Sequence, residues 1–182
     1  MRTKILRLIL VSMLVICMAI PAYANNQMRT LKVLILTDDS FPMSRIRQSV
    51  KNASDILDDQ VFIKLEIVGV KKCRFNKRKG KRIMRQIKRK AKRWNGDYDI
   101  AIAYIKLKRR KFMGKCGGRH ILIRSTMRGS GIVTAHEVGH TFAGSRHDSM
   151  GLMSAKVAKK KNTKIMMNTA FRMKKNRWKQ WN

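Results

Sequence analysis

The run Tyr98-Asp99-Ile100-Ala101-Ile102-Ala103-Tyr104-Ile105 constrains this chain more than any other stretch. It has neither the gaps of an amphipathic helix nor the alternation of a half-solvated strand. A strand that is apolar on both sides must be covered on both sides, which predicts a position in the middle of a sheet with layers above and below. The preceding segments supply such layers. Leu31 to Leu36 is a short, branched, apolar run that ends at Thr37-Asp38-Asp39-Ser40, a strand leaving through a turn. Met43, Ile46, Val50, Ala53 and Leu57 recur at three- and four-residue steps, an amphipathic helix with Ser40 or Ser44 as N-cap and Asp58-Asp59 at its far end. Val61 to Val70 alternates in part and is rich in β-branched residues, a second strand. Ile83, Ile87, Ala91 and Trp94 mark one face of a second helix, ending at Asn95-Gly96, whose opposite face is Lys and Arg throughout.

Beyond the central run, Lys106 to Gly118 reads as a basic, glycine-rich loop and His120 to Arg124 as a fourth strand. After Gly129-Ser130-Gly131 a helix is expected from Ile132 to Phe142. Strand, helix, strand, helix, strand, strand is an α/β (α+β) order: a mixed four- to five-stranded twisted sheet with two large helices, the helix at 132–142 and a closing C-terminal helix. That last helix carries Ile165, Met166, Met167, Ala170, Phe171, Met173 and Trp178 among many cations. Packing against the core is its default role, and contact with a membrane surface is the alternative.

The first residues belong to a different argument. Arg2, Lys4 and Arg7 precede an apolar run from Leu8 to Ile20 that ends in Pro21-Ala22-Tyr23-Ala24, the layout of a secretory signal peptide cleaved before Asn25. Residues 1–24 are therefore expected to be removed, leaving one domain of 158 residues, 25–182, that is secreted or periplasmic. No other stretch approaches the roughly 18 to 20 apolar residues of a transmembrane helix. Three of the 43 Lys and Arg and none of the 10 Asp and Glu lie before Asn25, so the processed chain carries a net charge of +30. Such a field favours anionic envelope polymers or other polyanions. It does not announce nucleic acid, because no nucleic-acid motif is present and aromatic residues are not interleaved with the basic runs. Cys73 and Cys116 are the two cysteines left, and an even count in an oxidising compartment predicts a disulfide between them. A Cys116 thiolate serving as a metal ligand is the alternative.

The chemistry is concentrated at His136-Glu137-Val138-Gly139-His140. On a helix the two histidines stand one turn apart on the same face, where both imidazoles can bind one ion, and Glu137 is placed to act on water at that ion as general base. A catalytic zinc site takes a third protein ligand and keeps one position open. After Glu137 the chain has no Glu, one Asp (Asp148) and, past His140, one histidine (His147). Gly144 can adopt a positive φ, so the helix can end there and turn the chain back with His147 as third ligand.

With these residues in view, His136 to Asp148 resembles the zinc signature of the metzincin metalloproteases, and within them the reprolysin-like branch, where an Asp follows the third His. The resemblance implies a zincin domain, one catalytic Zn2+, and a methionine-containing turn beneath the metal, with Met153 in Leu152-Met153-Ser154 as its occupant rather than Met150. It departs from the family pattern in one respect: Gly144 is four and His147 seven residues after His140, one more than the pattern in each case. The extra residue is absorbed as a bulge, or Asp148 ligates in place of His147, or the site binds zinc poorly. The Tyr ligand of the astacin branch and the cysteine cluster of archaemetzincins are both absent.

Two functions follow. The leading one is a monomeric, secreted zinc metalloendopeptidase that hydrolyses a protein or peptide substrate, with Ile121, Leu122 and Ile123 as the edge strand along which an extended substrate pairs. The rival is a cationic envelope- or polyanion-binding protein with a structural or degenerate zinc site. His120 reads as a strand-face residue rather than a ligand.

Overall fold

A computed structural model describes residues 27–76, 80–107, 113–124, 129–155 and 162–181; the expected signal peptide and its cleavage site lie outside these. The elements run β1 (Arg29–Thr37), α1 (Met43–Val61), β2 (Ile63–Lys72), α2 (Gly80–Lys92), β3 (Ile100–Tyr104), β4 (Gly114–Gly117), β5 (His120–Ile123), α3 (Ser130–Ala143) and α4 (Met167–Asn176). They form one five-stranded sheet in the order β2-β1-β3-β5-β4, with β3 in the centre. The first four strands are parallel and β4 runs antiparallel to β5. No helix among the described residues is long and apolar enough to cross a membrane.

The alternation of side chains along each strand divides the core into two layers. Leu31, Val33 and Ile35 of β1, Ile100, Ile102 and Tyr104 of β3, and Ile121 and Ile123 of β5 face α1, α3 and α4. Leu34, Leu36, Ala101, Ala103 and Leu122 face α2, which buries Ile83, Ile87 and Ala91. The central run is thus apolar on both sides because each side carries a helical layer. Helix α1 continues to Val61, past the expected end at Asp58-Asp59, and stops where Phe62 takes a left-handed conformation (φ 58°). Left-handed backbone disfavours an aromatic residue, and here the Phe62 ring is held under the Lys174 and Arg177 cations, 4.7 and 5.9 Å away.

Three expectations are corrected. Ile121, Leu122 and Ile123 are not an edge strand: β5 lies between β3 and β4. The edge is β4, inside the stretch expected to be loop, and it exists because the tight turn at Gly118 (φ 67°) and Arg119 folds Gly114–Gly117 back along β5. Cys73 and Cys116 do not form a disulfide. Cys73 packs in the α2 layer and Cys116 in the layer on the opposite face, so the sheet stands between them. Finally, α4 buries Thr169 and Met173 but leaves Met167 and Phe171 exposed, so its apolar residues do not all serve the core.

Two features fix α3 against the rest. The hydroxyls of Tyr104, Ser49 and Thr134 form a closed triangle with sides of 3.0 to 3.1 Å, joining β3, α1 and α3 in the interior. At Gly131 the helices α1 and α3 come so close that a Cβ would stand 2.5 Å from Asn52 Cβ. Arg29 fastens the chain beyond α4: its guanidinium donates to the carbonyls of Arg177 and Lys179 and pairs with Asp99, while lying over the Trp181 ring. A Gly131→Ala substitution should cost about 1–3 kcal/mol by forcing the α1–α3 crossing apart. In a thermal melt this lowers Tm by roughly 3–10 °C, and an unchanged Tm would mean that the helices do not meet at this residue.

Candidate metal centre

Helix α3 carries His136 and His140 one turn apart and ends at Ala143. Gly144, at φ 82°, stops the helix, and its N–H still closes onto the His140 carbonyl at 3.1 Å. From there the chain returns so that the His147 Nε2 lies 3.2 Å from the His140 Nε2, which is itself 3.0 Å from the His136 Nε2. The extra residue before His147 is therefore taken up in the turn. Ligands of a tetrahedral zinc with bonds of roughly 2.0–2.1 Å stand about 3.3 Å apart, close to these separations. Among the described residues no other group of three His, Cys, Asp or Glu side chains converges in this way.

The protonation state of the cluster follows from its outer partners. His136 Nδ1 is 2.6 Å from the Leu152 carbonyl and His140 Nδ1 is 2.7 Å from the Gly144 carbonyl. A carbonyl only accepts, so both Nδ1 atoms carry the proton, and in a neutral imidazole Nε2 is then bare. Two bare nitrogens 3.0 Å apart repel unless a cation stands near both. An additional proton is disfavoured, since burial pushes the His136 pKa down to about 4 and lowers that of His140 as well. The donor set, its tautomers and its spacing fit a divalent metal ion that takes imidazole, zinc foremost.

The residues around the cluster divide the remaining work. Met153 is fully buried, and its Sδ lies against Gly139, where a Cβ would come within 2.5 Å of it. Gly139 sits between the two histidines on α3, so the thioether packs directly under them, while Met150 is 52 % exposed. The Met153 carbonyl accepts the Asp148 N–H at 3.0 Å, closing the loop that supplies the Leu152 carbonyl to His136. The Asp148 carboxylate accepts the Thr169 hydroxyl at 2.9 Å and faces Arg172 at 3.9 Å. It is turned toward α4 and stands outside the histidine cluster.

Glu137 faces the edge strand. Its carboxylate packs against Gly114 of β4, where a Cβ would stand 2.5 Å from Oε1, and accepts the backbone N–H of Cys116. Burial pushes its pKa up to about 7. The Cys116 thiol, which burial pushes up to about 11, contacts Thr141 and the Gly118 carbonyl and no histidine. A thiolate ligand from Cys116 is excluded by this position. His120, at the start of β5, is likewise outside the cluster. Gly114 is the site residue that sequence reasoning missed. A glycine in a basic, glycine-rich stretch carries no sign that a carboxylate rests on it, and only the β4–β5 pairing reveals the contact.

No family model and no curated relative matches the chain. Among solved structures it is similar to the archaemetzincin of Methanopyrus kandleri, with 17% identity over 83% of this chain and 96% of that one and a TM-score of 0.60. It is also similar to metalloproteinase-II of Bacteroides fragilis, with 16% identity, 80% of this chain, 52% of that one and a TM-score of 0.61. A zinc-dependent peptidase of Methanocorpusculum labreanum matches with 11% identity over 78% of this chain and 99% of that one, TM-score 0.53. None of these likenesses singles out the reprolysin-like branch. They establish that the chain has the mixed α/β, zincin-like fold of metallopeptidases.

Proposed function

We propose that this protein is a zinc-dependent metalloendopeptidase of the metzincin type, exported from the cell that makes it. The observation that carries the reading is the convergence of three imidazole Nε2 atoms, two of them bare by virtue of their Nδ1 partners and carried by the helix that also bears Glu137. His136, His140 and His147 are the ligands. Support for the metzincin assignment comes from Met153 packed under the cluster; the reprolysin-like reading rests on Asp148 following His147. Export rests on the basic-then-apolar layout of residues 1–24.

A zinc ion held by the three histidines would supply Lewis acidity, making water acidic at neutral pH and polarising the scissile carbonyl. The rest of the chemistry belongs to the chain. Glu137 takes the proton of the attacking water on its carboxylate and passes it to the leaving amine nitrogen. Strand β4, with one edge unpaired in the sheet, offers main-chain groups to an extended substrate, so the peptide runs alongside the residue that holds Glu137 in place. The Leu152 and Gly144 carbonyls keep the first two imidazoles in the ligating tautomer.

Two measurements test this division of labour. Glu137→Gln keeps size and packing while losing the base, so cleavage of a peptide library should fall by about 100-fold or more, with zinc content unchanged. Retained cleavage by that variant would remove Glu137 from the reaction. Gly114→Ala adds a methyl group where the Glu137 carboxylate lies. It should lower kcat by roughly tenfold or more by displacing the base, with zinc content and Tm close to those of the parent.

A further inference from the structure

Among the described residues, one face of helix α4 has no packing partner. Thr169, Met173 and Arg177 are buried against the domain. Spaced four apart, they form a single stripe, and Arg177 prolongs the helical winding past Asn176. On the opposite side of the helix stand Met167 and Phe171, one turn apart and 83 % and 63 % exposed, while Trp178, just past the helix and 50 % exposed, lies with its ring against the Arg29 and Arg177 guanidiniums. Isolated exposed apolar residues are ordinary on a protein surface, whereas two large ones stacked one turn apart on a helical face form a patch. Lys175 and Lys179 are exposed beside it, and the sequence has no Asp or Glu after Asp148. The Asp148 carboxylate is itself held by Thr169 and Arg172.

We propose that this face of α4 docks on an anionic lipid bilayer, with Met167 and Phe171 entering the headgroup boundary and the lysines meeting lipid phosphates. The pairing of apolar and basic residues selects this occupant. A soluble polyanion would satisfy the lysines and leave Met167 and Phe171 in water. A second copy would bring the same cations against each other without an acidic counterpart. The inference stands independently of catalysis but bears on it. Helix α4 touches the turn after His147 through Thr169 and Asp148, and Met173 reaches Gly139, so docking holds the histidine cluster close to the membrane.

The test uses protein purified after expression of the full chain, with mass spectrometry showing that all variants share one N-terminus. Sedimentation is compared for vesicles of phosphatidylcholine alone and for vesicles containing roughly a quarter phosphatidylglycerol. The parent should bind the anionic vesicles and leave the neutral ones. Met167→Ser/Phe171→Ser should partition at least about tenfold more weakly with Tm unchanged, while Val68→Ser, at an exposed apolar position on β2, should bind like the parent. Absence of binding to anionic vesicles would overturn the proposal. So would equal binding by the double variant, since charge would then suffice, or a solution dimer of the parent that dissociates on the double substitution, which would give the face to a second copy.

Discussion

Three imidazoles meet with their Nε2 atoms within hydrogen-bonding distance, the His136 and His140 pair without a proton to share, and much of the structure holds that pair in its repulsive arrangement. Each outer partner is fixed in turn. The Leu152 carbonyl that fixes the His136 tautomer sits in a loop whose own N–H donates to Lys164 at 2.8 Å and whose ends are joined by the Asp148–Met153 hydrogen bond. Gly144 supplies both the positive φ that stops α3 and the carbonyl that fixes His140. Uncompensated, such a pair of bare acceptors would be driven apart or protonated; a cation of imidazole preference makes it favourable.

The fold brings this cluster to the edge of the sheet by close packing at glycines. Gly131 lets α3 cross α1, Gly139 lets Met153 fill the space beneath the histidines, and Gly114 lets β4 approach Glu137. The Tyr104-Ser49-Thr134 triangle then locks the start of α3 to the central strand. Burial pushes the Tyr104 phenol up to about 12, so the triangle stays neutral at physiological pH. Edge strand and base sit on the same side of α3, which places an extended chain paired with β4 beside Glu137. These are contacts of backbone and small side chains, in which one added carbon is felt directly.

Much of this was legible in the sequence where a pattern maps onto one element. The uninterrupted apolar run predicts β3 at the centre of the sheet, the i, i+4 histidines predict a shared face of α3, and the scarcity of acids and histidines after Glu137 points to His147. What was not legible depends on elements meeting across the fold. Gly114-Lys115-Cys116-Gly117 has little strand propensity and becomes a strand only by pairing with β5, so sequence pattern alone puts the sheet edge at β5, one strand short. Parity suggested that Cys73 and Cys116 pair, yet pairing requires a shared face and the sheet separates them. The tail helix showed apolar residues enough for a core face, and only its packing shows that Met167 and Phe171 lie on the other side.

Zinc titration of metal-stripped protein, followed by metal content per chain and by circular dichroism, addresses the histidine cluster most directly. One zinc per chain should bind with a dissociation constant of about 1 μM or tighter at neutral pH, and Tm should rise with zinc concentration. His147→Ala should weaken the affinity by at least about tenfold. A natively folded chain that retains no zinc, or one whose affinity is indifferent to His147, would contradict a three-histidine metal centre.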